Sequence, residues 1–243
     1  MIFALDKNLG FVVEDPEWQT FFKKFKIKPM VYDNMKKLTE EMEKNTVALS
    51  YLPAANFFYF RTDQFYTPIA NALFTSNKTD KIGSLLIVSK QSPIQSLSQL
   101  KNKSLGYIHP YCTTSYFAPA LLLWKNHYSI HHFFSSLREV GAWQLQIDAV
   151  VKGVVDATMI QEDIWYQLPE NATQTKILDR QDHLPSPLIL CASHLDKNMQ
   201  EELKELLFSY KPTPPPHSLF NGFIPFEQKL VENFYSNASQ AFA

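Results

Sequence analysis

The feature that most constrains the fold is a regular alternation of apolar and amphipathic segments in the first part of the chain. The apolar stretches at residues 2–5, 30–33 and 47–52 have the length and composition of strands. Between them, residues 15–26 and 34–45 repeat apolar side chains at helical spacing. This strand–helix order is typical of a parallel sheet with crossover helices, so we predict an α/β fold.

The alternation continues after residue 83 and indicates a second set of strands and helices. Further strand patterns lie at residues 83–90, 154–160 and 187–193. We expect the chain to pass between the two sets near residues 88–92 and again near residues 182–187. Two such crossings predict two lobes, and ligands bind at the carboxyl ends of strands and at helix N-termini between lobes of this kind. The predicted domains are a discontinuous lobe 1, residues 1–88 and 184–243, and lobe 2, residues 89–183.

The composition excludes several classes of function. The chain has 243 residues, of which 45% are hydrophobic and 19% charged, so it is globular. A net charge of −1 argues against a broad nucleic-acid interface. The glycine-rich nucleotide motifs, the nucleophile elbow and zinc-binding spacings do not occur, so we predict no cofactor and no metal. Cys112 and Cys191 are far apart, and their pairing cannot be deduced from sequence.

Targeting signals give a conditional prediction of location. No segment approaches the roughly 20 apolar residues of a membrane-spanning helix. The first residues, MIFALDKN, have no basic region, and their apolar run is too short for a secretory signal. We expect a periplasmic protein if a signal peptide has been removed before Met1. Otherwise we expect a cytoplasmic protein, or one secreted without such a signal.

Three consecutive hydroxyl residues form the strongest candidate site. Thr113, Thr114 and Ser115 precede the apolar helix pattern YFAPALLLW. Placing Ser115 at the N-cap puts Pro119 in the first turn, where a missing N–H costs no intrahelical bond. One hydroxyl suffices as a cap. Three of them, beside free amides and the positive end of the helix dipole, suit a tetrahedral oxyanion, although an ordinary cap with polar neighbours remains the alternative.

The order of several segments resembles the phosphate/phosphonate-binding proteins of ABC transporters. The segments are SPIQSLSQLKNKSLGYI, TTSYFAPALLL, AVVKGVVDATMI and EEMEKNTVALSYLPAANFFYF, and the resemblance extends over roughly residues 30–210. It implies a type II periplasmic-binding-protein fold, whose two lobes close on a ligand by a hinge motion. The expected function is capture of a phosphonate, phosphate or phosphite for an ABC permease or a sensor.

The resemblance also implies roles for individual residues. Thr113, Thr114 and Ser115 match the hydroxyl-rich helix start that holds the oxyanion. Tyr51 matches the aromatic residue that faces the ligand from lobe 1. Asp156 matches the aspartate of the family's Val-Asp-Ala element, with a local role at the strand end as the alternative.

Three positions depart from the family's pattern. Tyr116 stands where a glycine usually follows the hydroxyl run, and we expect it to narrow or re-aim the oxyanion site. His109 occupies a position that is often acidic, and either adds a cation to the site or serves as a turn residue. Trp143 lies where the family often has a histidine nearby, and either fills the ligand site or packs as an ordinary buried aromatic.

Two carboxylates begin the helix that follows the strand at residues 154–160. Acidic side chains are favoured in the first turn of a helix, so we expect Glu162 and Asp163 to form a solvated helix start. The alternative is that they contact an ammonium group of a ligand.

Two functional alternatives remain beside solute binding. In the first, the same fold acts through a protein partner, as a sensor module or a secreted effector, without transport. In the second, the protein is a hydrolase in which Ser115, Thr114 or Cys112 is the nucleophile and His109 the base. We predict a protein that is not an enzyme, since sequence neighbours do not establish the geometry that a catalytic pair needs.

Overall fold

A computed structural model describes residues 1–6, 14–59, 65–74, 81–167, 169–211 and 220–242. The strands are β1 Ile2–Asp6, β2 Lys28–Tyr32, β3 Val47–Leu52, β4 Tyr66–Phe74, β5 Lys81–Ser89, β6 Ser104–Tyr107, β7 Ser136–Glu139, β8 Ala157–Gln161, β9 Thr175–Pro185, β10 Leu188–Ala192 and β11 Phe220–Pro225. The helices are α1 Pro16–Phe25, α2 Met35–Glu43, α3 Ala54–Tyr59, α4 Ala118–Lys125, α5 Ile130–Phe133, α6 Trp143–Val151, α7 Glu162–Gln167, α8 Pro169–Gln174, α9 Lys197–Ser209 and α10 Gln228–Phe242. None of these described helices is long and apolar enough to cross a membrane.

The chain divides into two compact units. Unit 1 comprises Met1–Asp80 and Ser186–Gln228, and unit 2 comprises Lys81–Pro185 and Lys229–Ala243. Among the described residues, each unit is built on one sheet, with six strands in unit 1 and five in unit 2. The chain passes between the units three times, once more than the sequence analysis predicts.

The sheet of unit 1 has the order β11-β4-β10-β3-β1-β2. Strand β1 is parallel to β2 and β3, as the strand–helix alternation predicts. The remaining pairs are antiparallel, so the sheet is mixed and not parallel throughout. The difference arises because β10, which follows unit 2 in sequence, enters between β3 and β4 in the opposite direction.

Helix α1 follows directly from its sequence. Asp15 occupies the N-cap and Pro16 the first helical position, where a proline loses no backbone bond. Trp18, Phe21 and Phe22 are buried on its inner face. The hydroxyl group of Tyr210, which follows α9, donates to the Asp15 carboxylate and so joins the start of α1 to the end of α9.

The sheet of unit 2 has the order β7-β6-β8-β5-β9. Strand β6 is parallel to β7 and β8, whereas β5 is antiparallel to β8 and β9. The carboxyl ends of β6, β7 and β8 therefore share one edge of the sheet with the amino end of β5. Helix α6 packs on this sheet through Gln146, Ile147, Ala149 and Val150, while Leu145 is 52% exposed.

The predicted domain boundaries need two corrections. Strand β5 was assigned to lobe 1, but it pairs with β8 and β9 in unit 2. Helix α10 was also assigned to lobe 1, but it belongs to unit 2, where Phe234 packs against Phe117. Residues 82–88 of β5 are all buried, so the sequence of this strand carries no signal of which sheet it joins.

Candidate functional site

The hydroxyl residues lie inside a helical turn and not before it. Thr113–Phe117 form a π-helical turn that runs directly into α4, and Cys112 is the N-cap. The amides of Tyr116 and Phe117 both donate to the Cys112 carbonyl, at 3.2 and 3.1 Å. The prediction that Ser115 caps the helix is therefore wrong, because the helix begins at Thr113 with the wider π geometry. Turns of this kind are rare and occur frequently at functional sites.

Pro119 cannot supply the amide that the π-helical pattern would direct to the Thr114 carbonyl. The Ala118 amide donates to the Thr113 carbonyl, in the i→i−5 pattern of a π helix. The Thr114 carbonyl would be the next acceptor in that pattern, but residue 119 is a proline and has no N–H. The hydroxyl group of Ser84, on β5, donates to this carbonyl at 2.8 Å. A side chain of the sheet thus replaces the missing helical bond.

All three hydroxyl residues are buried. Thr113 is 4% exposed, Thr114 8% and Ser115 0%. The Ser115 hydroxyl oxygen accepts a hydrogen bond from the Ile108 amide at 3.0 Å, which ties the turn to the chain just after β6. The Thr114 hydroxyl lies 3.5 Å from the Cys112 sulfur.

The electrostatics of the turn favour an anion. Cys112 is the N-cap and Thr113 the first helical residue, so the hydroxyl run forms the N-terminal end of the helix. The positive end of the helix dipole of the turn and α4 lies at the same place. Hydroxyls and amides together can surround the oxygens of a tetrahedral anion without a cationic side chain.

A row of polar residues crosses the sheet beside the turn, and the sequence analysis missed it. Gln161 on β8 and Gln181 on β9 both lie opposite Ser84 in the strand register, so the three side chains share one face of the sheet. All three are buried. The side-chain amide of Gln161 donates to the Asp163 carboxylate at 3.2 Å. The Lys125 ammonium group donates to the side-chain oxygen Oε1 of Gln181 at 3.0 Å. A serine inside the apolar segment GSLLIVSK was the signal available in the sequence.

Glu162 and Asp163 are not the solvated helix start that we expected. They are 8% and 2% exposed. Arg180 forms an ion pair with Glu162 at 2.7 Å and another with Asp182. Burial raises the pKa of Glu162, with repulsion from Asp182 and Asp163 adding to the rise and attraction to Arg180 opposing it. A Cβ atom on Gly83 would lie 2.5 Å from the Glu162 carboxylate, so any larger residue at position 83 would require that carboxylate to shift.

His109 serves the local turn. Its Nδ1 accepts a hydrogen bond from the Tyr111 amide at 3.2 Å. Burial lowers its pKa to about 4, so the imidazole is neutral at physiological pH and adds no cation. Within the part of the chain that the structure describes, the His109 carbonyl accepts a hydrogen bond from the Cys112 amide at 3.1 Å, but the His109 imidazole makes no hydrogen bond to the side chain of Cys112, Thr114 or Ser115. The geometry therefore lacks the nucleophile–base pair that the hydrolase alternative requires.

Asp156 lies away from the hydroxyl run. It immediately precedes β8 and accepts hydrogen bonds from the amide and the hydroxyl of Ser104, at 2.8 and 2.6 Å. Burial acts to raise the pKa of Asp156, but these bonds outweigh it and lower the pKa. Ser104 begins β6, whereas the π turn follows the carboxyl end of β6. The structure thus does not bring Asp156 together with the hydroxyls, and its contacts favour the local role at the strand end.

Tyr51 and Trp143 both pack among apolar residues. Tyr51 lies on β3 of unit 1 with no exposed surface, and its ring contacts Phe220 and Phe223. Burial and the nearby Asp6 carboxylate raise the pKa of Tyr51 well above its usual value, which keeps the hydroxyl neutral. Trp143 begins α6 and packs against a buried cluster of unit 2, formed by Leu85, Ile87, Ile147, Ile160 and Trp165. A ligand contact of either residue stays a prediction.

Comparison with known proteins identifies the family. The family model described as the ABC transporter, phosphonate, periplasmic substrate-binding protein matches residues 23–232. The chain belongs to this family. Its members are periplasmic substrate-binding proteins. No curated protein matches the chain in sequence.

Solved structures confirm the fold expected of this family. XAC2383 from Xanthomonas citri, bound to chloride ion, has a TM-score of 0.81 at 13% identity, covering 99% of this chain and 98% of its own. PhnD1 from Prochlorococcus marinus, in complex with methylphosphonate, has a TM-score of 0.75 at 16% identity, covering 98% and 97%. A binding protein component of an ABC phosphonate transporter from Pseudomonas aeruginosa has a TM-score of 0.74 at 16% identity, covering 99% and 87%. The predicted type II periplasmic-binding-protein fold is therefore confirmed.

Tyr116 is the departure from the family's pattern that lies closest to the hydroxyls. Its ring contacts the ring of Tyr107 edge-on, with centroids 5.0 Å apart. It also stacks on Phe242 of α10, with centroids 5.4 Å apart and an interplanar angle of 14°. The side chain is thus held between β6 and the C-terminal helix.

Proposed function

We propose that this family member captures a small oxyanion of the phosphonate, phosphate or phosphite type at the π turn, and delivers it to an ABC permease in the periplasm. The observation that carries the proposal is the set of three buried hydroxyl residues in the first turn of a helix, at the positive end of the helix dipole. Thr113, Thr114 and Ser115 are the proposed ligand-binding residues.

The chemistry of the turn suits a tetrahedral oxyanion better than a planar carboxylate or a neutral solute. Neutral donors arranged around one point can each bond a different oxygen of the anion. Bonds from such donors to an ionised acceptor are about twice as strong as bonds between neutral groups. The Ser84 hydroxyl and the Ile108 amide fix the backbone and the last hydroxyl of the turn, which reduces the ordering that binding would require.

Isothermal titration calorimetry tests the proposal. The panel is phosphate, phosphite, sulfate, methylphosphonate and 2-aminoethylphosphonate. The test variant is Thr114→Ala, and the matched control is Thr173→Ala, which removes an exposed threonine hydroxyl of the same unit. Loss of a hydrogen bond to a charged ligand is worth about 1.5–3 kcal/mol, so we expect binding of at least one oxyanion and about a tenfold to hundredfold weaker affinity in Thr114→Ala.

The control variant should bind like the wild type. A panel without binding would overturn the proposal and favour the alternative in which the fold acts through a protein partner. Binding that is unchanged by Thr114→Ala would move the ligand away from the π turn.

A further inference from the structure

The two aromatic residues of the π turn pack on the C-terminal helix. Tyr116 stacks on Phe242, and Phe117 contacts the same ring with centroids 5.1 Å apart. Phe117 also contacts Phe234, which lies closer to the start of α10, with ring centroids 5.9 Å apart. Helix α10 therefore contacts Tyr116 and Phe117, the two residues that directly follow the hydroxyl run.

The turn needs support from outside because its own hydrogen bonds are incomplete. A π-helical turn is rare on its own, and Pro119 removes one of the donors that would continue it. Ser84 supplies a replacement from the sheet side. The aromatic contacts with α10 supply the remaining support of the turn through packing.

We propose that α10 holds the hydroxyl-bearing turn in its ligand-binding geometry, with Phe242 as a positioning residue that acts through Tyr116. The inference rests on the proposed function, because the geometry in question is that of the oxyanion site. It gives Tyr116 a role other than narrowing the site: the residue in the glycine position connects the turn to the C-terminal helix.

The ring contacts with Phe242 affect ligand affinity through the order of the turn. The amides of Tyr116 and Phe117 anchor the turn by their bonds to the Cys112 carbonyl. If the rings lose their contacts with Phe242, the backbone between Cys112 and Phe117 gains freedom, and the hydroxyls and amides must be ordered again on binding. An aromatic pair is worth up to about a tenfold change in an equilibrium constant, and Phe242 makes two such pairs with the turn.

Hydrogen exchange of the ligand-free protein tests the positioning role without any ligand. The variants are Phe242→Ala, the conservative Phe242→Tyr, and the control Tyr235→Ala, which removes an exposed ring from the same helix. We expect Phe242→Ala to speed exchange of the Tyr116 and Phe117 amides about tenfold, while amides of β5 and β8 stay protected. Phe242→Tyr should restore slow exchange, and Tyr235→Ala should not alter it.

Unchanged exchange in Phe242→Ala, or equal acceleration throughout unit 2, would overturn the inference. Calorimetry on the same variants then separates it from the proposed function. We expect Phe242→Ala to weaken oxyanion affinity about tenfold and Phe242→Tyr to restore it. If the wild type binds no oxyanion, the proposed function fails while the exchange result still decides whether α10 orders the turn. If the wild type binds and Phe242→Ala binds equally well, the positioning role is refuted and the proposed function stands.

Discussion

Replacing Ser84 by alanine should destabilise the protein well beyond what the loss of one hydroxyl suggests. The Ser84 hydroxyl lies 2.8 Å from the Thr114 carbonyl, and the Ile160 carbonyl is 3.2 Å away. In the variant, the Thr114 carbonyl has no donor within the helix, because the Ala118 amide is bonded to Thr113 and Pro119 has no N–H. A buried acceptor left in this state costs about 1–3 kcal/mol.

Thermal unfolding of Ser84→Ala measures this cost. For a chain of this size, a loss of about 2 kcal/mol corresponds to a fall in Tm of about 4–8 °C. The matched control is Ser135→Ala, in which the lost bond, from the hydroxyl to the Lys103 carbonyl at 3.1 Å, is exposed. Because water can replace that bond, we expect the control to change stability by less than about 0.5 kcal/mol.

A double-mutant cycle with Pro119→Ala tests the physical reason itself. Alanine at position 119 restores an N–H, which can donate to the Thr114 carbonyl in the π-helical pattern. Ser84→Ala should therefore cost less in the Pro119→Ala background than in the wild type, by about 0.5 kcal/mol or more. If the change in unfolding free energy of the double variant equals the sum for the two single variants within about 0.3 kcal/mol, Ser84 does not replace the donor missing at Pro119.

Three further predictions follow from burial and hydrogen bonding. Burial lowers the pKa of His109 from 6.5 to about 4, so between these pH values the unfolded chain binds a proton at His109 that the folded chain does not. The free energy of unfolding therefore falls as the pH drops from 6.5 to about 4. In urea unfolding, the free energy of unfolding should fall by up to about 3 kcal/mol less in His109→Asn than in the wild type between pH 7 and pH 4.5. The same fall in both proteins would contradict this prediction. Asp156→Asn weakens the hydrogen bonds to Ser104, so we expect it to lower the free energy of unfolding by about 1 kcal/mol. Its oxyanion affinity in calorimetry should stay within about twofold of the wild type. A tenfold loss of affinity would show that Asp156 contacts the ligand. Leu203→Ala, at a fully buried position of α9, should cost about 2–5 kcal/mol in thermal unfolding, whereas Phe208→Ala, at an exposed one, should cost far less; equal costs would refute the packing of α9.

The parts of the fold that were predictable from sequence are those set by neighbouring residues. In α1, the cap Asp15, the first-turn Pro16 and the buried Trp18 all lie within a few positions of one another. The order of the sheets is set by contacts between distant segments. Nothing local to β10 indicates that it enters unit 1 between β3 and β4, antiparallel to both.

The sequence places the hydroxyl run at the start of a helix, as the structure does, but it did not predict the local geometry of that helix start. Placing Ser115 at the N-cap assumed that a proline fixes the start of an α-helix. The π turn changes that assumption, since Pro119 still lies in the first turn of α4 although the helical backbone begins at Thr113. The Glu162 carboxylate lies beside Gly83 of the neighbouring strand and pairs with Arg180, and no feature of residues 162–167 indicates either contact.

The disagreement between local rules and structure is itself an argument for where the function lies. An alanine at position 119 would supply an amide to the turn, and an apolar residue at position 84 would suit a buried strand. The chain instead combines a proline, a π turn and a buried serine in β5, and needs each of them to compensate for another. Sequences keep such locally costly combinations where function requires them. The result is a helix start that carries three buried hydroxyl residues, an arrangement that suits the proposed oxyanion site.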